Sequence, residues 1–170
     1  MEHETSTIGP GPIKHFRGDY RFLSNFHMGV IRVEGAHETE KFYPSVEHAY
    51  QAAKTLNEDE IEDIRLTATP GEAKAKGKHC TLRADWEEVK LEVMFNLLMI
   101  KFSDPILRHK LLETGDAQLI EGNSWNDRFW GCDDTTWRGK NHLGRLLMVV
   151  RSVIRETRPD HHMPEELRDP

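Results

Sequence analysis

Cysteine is nearly absent from this 170-residue chain. Cys80 and Cys132 stand alone, which excludes a disulfide framework and fits a reducing, cytoplasmic setting. No run of about 18 apolar residues occurs, so the sequence carries no transmembrane helix and no membrane partner is expected. Met1 to Pro12 holds acidic and small residues without an apolar stretch, and does not read as a secretory signal. Positive charge is in deficit: 23 lysines and arginines face 29 aspartates and glutamates, a net charge of −6 with histidine neutral. Such a chain is a poor sequence-blind coat for DNA, although a local basic groove remains open to it.

Several familiar chemistries are missing too. There is no His-Glu-x-x-His, and two isolated cysteines cannot supply a C-x-x-C pair, so no zinc site is expected. G-x-S-x-G and G-x-G-x-x-G are both absent. Gly71 to Lys78 resembles a phosphate loop only superficially, because His79 replaces the required hydroxyl and the segment follows Pro70 in a helical pattern. A lone Cys80 without a basic neighbourhood is a weak candidate nucleophile.

What remains is one domain's worth of sequence, long enough to bury a core without staples. The tails at 1–12 and 158–170 are polar, aperiodic and expected to be mobile, leaving a body over 13–157. Gly29 to Glu34 and Thr39 to Tyr43 read as a hairpin around Gly35. Ser45 is placed to cap a helix with Val46, Ala49, Tyr50 and Ala53 on one face. Short helices follow over Glu58 to Thr67 and Pro70 to Lys78. A longer one starts at Trp86, with Asp85 and Glu88 at capping-box spacing and a stripe of Trp86, Val89, Val93, Leu97 and Ile100 with Met94 and Leu98 beside it. Asp104-Pro105 opens the next, stopped at Gly115, and a last helix runs from about Asn141 to Arg155. The class is mainly α with a small β element, α+β.

Three polar and aromatic clusters are candidates for function. Arg17 to Phe26 mixes aromatics with Asn25; the plain alternative is a strand edge whose Phe22, Leu23 and Phe26 are core. In Ser45 to Lys54, residues Glu47, Gln51 and Lys54 share a helical face, and Glu47 lies in the first turn, where the helix end favours a carboxylate. A solvated first-turn glutamate is the plain alternative. Glu121 to Gly131, continuing to Asn141, gathers Asn126, Asp127, Trp130 and Gly131 in a loop-rich stretch typical of ligand surfaces. Gly139, Lys140 and Asn141 at a helix start could hold phosphate on free N–H groups.

Together these segments resemble the NADAR family, whose bacterial members are YbiA-like. The resemblance rests on Leu23-Ser-Asn-Phe26, on Ser45-Val-Glu-His-Ala-Tyr-Gln-Ala-Ala-Lys54, and on Trp86 with Val89-Lys90, Met94 and Lys101-Phe102. It continues through Asn126-Asp127 with Trp130-Gly131, and Gly139-Lys-Asn-His-Leu-Gly-Arg-Leu-Leu-Met148, covering Phe16 to Ile154. Ala49-Tyr50 stands where the family often has two aromatics and Ala53 where it often has glutamine; Trp125 is extra.

The resemblance implies a compact helical domain with one cleft, no metal or cofactor, and hydrolysis of an N-glycosidic bond on a phosphorylated ribose. Two substrate classes follow: ADP-ribose on guanine in nucleotides or nucleic acid, the favoured one, and the phosphoribosylamino-pyrimidine intermediates of riboflavin synthesis. A non-catalytic ADP-ribose reader is the alternative of another class. Positive charge building on the ribose ring calls for a carboxylate beside it. Glu47 is the expected principal catalytic group and Asp127 the second. Trp86 and Trp130 would wall the site, Arg17, Lys54 and Lys140 contact phosphate, and Asn25 and Gln51 meet ribose hydroxyls. Phe26, Asn126, Gly131 and Asn141 complete the expected binding set. Water or His48 is left to protonate the base. The basic residues Arg128, Arg138, Lys140 and Arg145, beside Trp125, Trp130 and Trp137, motivate the ADP-ribosyl preference.

Overall fold

The computed structural model describes residues 11–34 and 40–157. The tails expected at 1–12 and 158–170 lie outside the described residues save for Gly11 and Pro12, as does the hairpin loop around Gly35. A 3-10 helix, Gly18–Leu23, precedes an antiparallel hairpin of β1, Met28–Glu34, and β2, Glu40–Ser45. Helices α1, Val46–Ala52, α2, Glu58–Arg65, and α3, Pro70–Gly77, follow, then the long α4, Trp86–Lys101, and α5, Pro105–Glu113. Two-residue strands β3, Gly122–Asn123, and β4, Cys132–Asp133, pair in parallel before α6, His142–Glu156. The α+β class expected from the sequence is the one observed.

Local chemistry sets most boundaries. The Ser45 hydroxyl accepts the His48 N–H, opening α1 directly from β2. Thr69 and Glu72 form a capping box around α3, whose first residue is Pro70. Asp104 Oδ1 accepts the N–H groups of Ile106 and Leu107 and so starts α5. At α4 the expected capping box does not form. Arg83 takes both carboxylate oxygens of Asp85, at 2.6 and 2.8 Å, because a charged bidentate partner outcompetes a backbone N–H.

Helix α4 crosses the molecule between α1 and α6, and α6 also packs on α5. Its buried line is Trp86, Met94, Leu97, Leu98 and Lys101, whereas Val89, Val93 and Ile100 are only half-buried. Burial is therefore centred on the Met94 and Leu98 edge of the expected stripe, since α4 is covered on two sides. Arg17 to Phe26 is a 3-10 turn rather than a strand edge. Phe22 and Leu23 are core, while Phe26 is half-buried.

One buried cation ties the last helix down. Arg151, on the inward face of α6 beside Leu147, Val150 and Ile154, donates to Thr114 Oγ1 at 2.7 Å and to the Ala117 carbonyl at 2.9 Å. Arg151→Leu would keep apolar bulk and strand both acceptors, which costs about 2–3 kcal/mol. The urea-unfolding midpoint is expected to fall accordingly, with an unchanged slope.

Candidate active site

Every residue of α1 is buried, including its acidic one. Glu47 is 6% exposed and Gln51 4%. The solvated first-turn glutamate is thereby ruled out. Gln51 Nε2 donates to Glu47 Oε1 at 2.7 Å, and the Glu47 N–H donates to the Asn25 carbonyl at 3.1 Å. Burial pushes the Glu47 carboxyl above the ordinary carboxylate range; the Gln51 bond and the charges of Lys74 and Lys54 pull it back, and Asp127 opposes them. Helix α3 closes the arrangement from behind. A methyl group on Gly77 would lie 2.1 Å from Gln51 Oε1, so only glycine lets α3 press the amide toward Glu47.

Glu47 borders a cleft of about 640 Å³. Its wall is a run of packed aromatics: Tyr50 lies 5.1 Å from Trp86 and 5.3 Å, edge-on, from Trp130, which meets Phe129 at 5.0 Å. Trp125 stands at the rim, 61% exposed. Cations line the same space. Lys54 and Lys74 lie over the rings of Tyr50 and Phe26 and Lys90 over Phe129, while Arg17 and Arg21 come from the N-terminal side. Burial lowers the Lys54 ammonium below its usual value.

The other side of the cleft is the loop between β3 and α6. Ile13 bridges to Leu119, which carries Phe16 and Arg17 alongside this loop. Asn123 grips Asp127 twice, accepting its N–H at 2.9 Å and donating to its carbonyl at 2.8 Å. Asp127 Oδ1 accepts the N–H groups of Phe129 and Trp130, at 3.2 and 2.9 Å. Among the described residues Oδ2 makes no hydrogen bond and is left to the cleft. Glu121 borders the cleft as well, its Oε2 buried and unpartnered, and burial raises its pKa to about 7.

The structure thus brings Glu47, Asp127, Arg17, Asn25, Phe26, Gln51, Lys54, Trp86 and Trp130 to one cleft. Asn126, Gly131, Lys140 and Asn141 do not line it. Asn126 is exposed with φ 62°, shaping the turn into Asp127. Asn141 is a strut: Nδ2 donates to the Leu119 carbonyl and Oδ1 accepts the Glu121 N–H. Gly131 lies so close to the Glu121 carbonyl and side chain that a Cβ there would sit 2.2 Å from that oxygen. The expected phosphate site at Gly139 to Asn141 does not exist as drawn, because the N–H groups of Lys140, Asn141, His142 and Leu143 all donate to carbonyls of 128–131.

Nor do Arg128, Arg138, Lys140 and Arg145 supply the cleft's charge. Trp137 lies elsewhere too, against His15 and under Lys14. His48 is fully buried, with Nε2 donating to the Thr67 carbonyl and Nδ1 engaged by Ser45 Oγ, so it is no proton source for the cleft. Sequence reasoning missed Arg21, Tyr50, Lys74, Lys90 and Glu121. Tyr50 falls on the apolar face of α1, Lys74 lies in the segment that resembles a phosphate loop only superficially, and Glu121 is the first residue of the Trp-rich cluster, with no spacing that marks it.

The Glu47–Gln51 bond has a direct readout. Gln51→Leu removes the donor while keeping the burial, so the Glu47 carboxyl should hold its proton to higher pH than in the wild type. A carboxyl carbon-13 titration followed by NMR measures this; an unmoved Glu47 transition would show that the bond does not hold the charge.

Comparison with known proteins supplies the context of this cleft. The chain is 42% identical over 142 residues to an N-glycosidase of Nostoc punctiforme, covering 80% of this chain and 86% of that protein. It is 41% identical over 139 residues to the N-glycosidase YbiA of Escherichia coli, covering 80% and 82%. The NMR structure of E. coli YbiA superposes with a TM-score of 0.77 at 37% identity, over 92% of this chain and 93% of that one. A riboflavin biosynthesis protein of Vibrio vulnificus is 36% identical over 165 residues, 91% of this chain but 41% of that longer protein. With the NADAR domain model matching residues 13–155, the chain belongs to the NADAR domain family.

Proposed function

We propose that this chain hydrolyses the N-glycosidic bond between a phosphorylated ribose and a base, with ADP-ribose on guanine as the preferred substrate. The observation that carries the reading is a buried carboxylate, Glu47, held by one amide at the edge of an aromatic, cation-lined cleft. Breaking the C–N bond spreads positive charge over the ribose ring, and a desolvated carboxylate stabilises that charge far more than one in water. Glu47 also serves as the base that takes a proton from the attacking water. Asp127, with Oδ2 open, orients ribose hydroxyls together with Asn25, whose Oδ1 is buried without a partner. Trp86 and Trp130 exclude water and offer ring faces to the base.

The preference for an ADP-ribosyl group rests on charge within the cleft. Arg17, Arg21, Lys54, Lys74 and Lys90 converge there, more cations than one monophosphate engages. A second reading, hydrolysis of phosphoribosylamino-pyrimidines, is favoured by the name of the Vibrio relative. A reader of ADP-ribose would need the cations and aromatics but no carboxylate desolvated beside the ribose.

Mass spectrometry of products from both substrate classes separates these readings. Release of guanine-bearing product from the ADP-ribosylated substrate at a kcat/KM at least equal to that on the pyrimidine supports the preference. Turnover of the pyrimidine alone overturns it and keeps the bond type. Glu47→Gln is expected to lower kcat by about 100-fold or more while calorimetry still registers ligand binding. Binding without base release by the wild type would make the protein a reader.

A further inference from the structure

We propose that Glu121 is the catalytic acid that protonates the departing base. This rests on the N-glycosidase reading above and adds to it the group that the motifs left unassigned. A ribosylated amine leaves poorly as an anion, so the cleft needs a proton donor as well as the Glu47 carboxylate. Two carboxyl groups in one site serve as acid and base when their surroundings differ, and here they do.

Burial raises the Glu47 carboxyl as well, and Asp127 adds to that, but Glu47 accepts a hydrogen bond from Gln51 and has the Lys74 and Lys54 charges nearby, which favour its ionised form. Glu121 accepts none among the described residues, and its Oε2 is buried without a partner. A carboxyl in that condition keeps its proton, since an ionised one would be desolvated and unpaired. The groups facing it are Asp127, which opposes ionisation, and Lys74, Arg17 and Lys101, which favour it without a contact ion pair. His15 stands close by on the Gly122 carbonyl. The balance leaves Glu121 titrating at about 7.

Position is fixed as firmly as charge. The Glu121 N–H donates to Asn141 Oδ1 at 3.0 Å, and its carbonyl accepts the Cys132 N–H at 2.9 Å. Gly131 abuts its Cγ, leaving the side chain no room on that side. Asn141 and Gly131, which border no part of the cleft, thus act as positioning residues for Glu121. Two other buried proton carriers are committed elsewhere. His48 has both ring nitrogens committed, and the Lys101 ammonium donates to the Ser24 carbonyl from behind the cleft.

The step balances with one water. The C1–N bond breaks with its electron pair going to nitrogen, and the Glu121 O–H proton goes to that nitrogen. The water oxygen bonds to C1, and one water proton goes to Glu47. Proton exchange with solvent then restores an acid at Glu121 and a carboxylate at Glu47.

Steady-state kinetics from pH 5 to 9 test this, on whichever N-glycoside the wild type cleaves. Wild-type kcat should fall above about pH 7 by tenfold per unit. Glu121→Gln should lower kcat about 100-fold or more at pH 6, abolish that descending limb, and change KM by less than threefold. Wild-type-like kcat in a folded Glu121→Gln protein overturns the proposal, and so does survival of the limb. Should the glutamine variant not fold, a wild-type profile flat from pH 6 to 9 overturns it, and a limb that shifts in Glu121→Asp supports it. Turnover of neither substrate class by the wild type removes the N-glycosidase reading itself, and this role with it.

Discussion

A carboxylate taken out of water must be given partners, and that requirement at Glu47 organises the surrounding structure. The seven-residue α1 contributes no exposed face, so its polar side chains must be satisfied by neighbouring elements. Gln51, one turn on, supplies the donor; Asn25 takes the backbone N–H of the first turn; Lys54 and Lys74 supply charge without contact. The Gln51 amide stays aimed because α3 approaches on the bare Cα of Gly77. Asn25 is fixed in turn by a bond from its amide to Met94 and by Lys101, whose buried ammonium grips the preceding Ser24 carbonyl. Helices α3 and α4 and the 17–26 turn are therefore committed to a position by one acidic side chain.

The opposite wall solves a different problem, holding a loop still without a sheet. Strands β3 and β4 are two residues each and contribute little rigidity. Side-chain amides do the work of a ladder. Asn123 braces Asp127 at both its N–H and its carbonyl, Asp127 caps the turn at Phe129 and Trp130, and Asn141 joins Leu119 to Glu121. Four successive N–H groups at the start of α6 close on carbonyls of 128–131. A helix start that is free binds anions; this one has been used to fasten the loop that carries Asp127.

The helices were legible because their boundaries are written locally. Ser45, Thr69-Pro70 and Asp104-Pro105 carry cap and first-turn chemistry that needs no tertiary partner. Asp85 misled because Arg83, two residues away, binds the same carboxylate, and a spacing rule is silent about competitors. The cleft was half legible. The i, i+4 relation placed Gln51 on Glu47 directly, but no spacing relates Arg17 to Glu121 across a hundred residues; the Ile13–Leu119 bridge and the Gly122 N–H bond to the Lys14 carbonyl do that. Gly131 and Asn141 drew attention as ligand groups because glycines and amides in aromatic loops serve both binding and bracing. Sequence alone does not distinguish an amide that faces a ligand from one that faces a carbonyl. Glu121 stayed unread for the converse reason: a glutamate's burial is decided by what folds over it.

Charge separates the cleft from the rest of the chain. The net charge is −6, yet acidic residues elsewhere are largely paired or solvated, as in Lys41–Glu58 and Arg65–Glu62. In the cleft, Glu47 lies buried and Glu121 half-buried with its Oε2 sealed from solvent, while Arg17, Arg21, Lys54, Lys74 and Lys90 border the same space. That pattern suits a molecule that is anionic at its ends and becomes cationic at its centre. In the proposed reaction phosphates would meet the cations on entry, and the ribose ring, as its C–N bond lengthens, would develop positive charge beside the buried Glu47 carboxylate. Moving a cation to the Glu47 position would bind an anionic ground state better and oppose the transition state, so the division of charge favours reaction over retention.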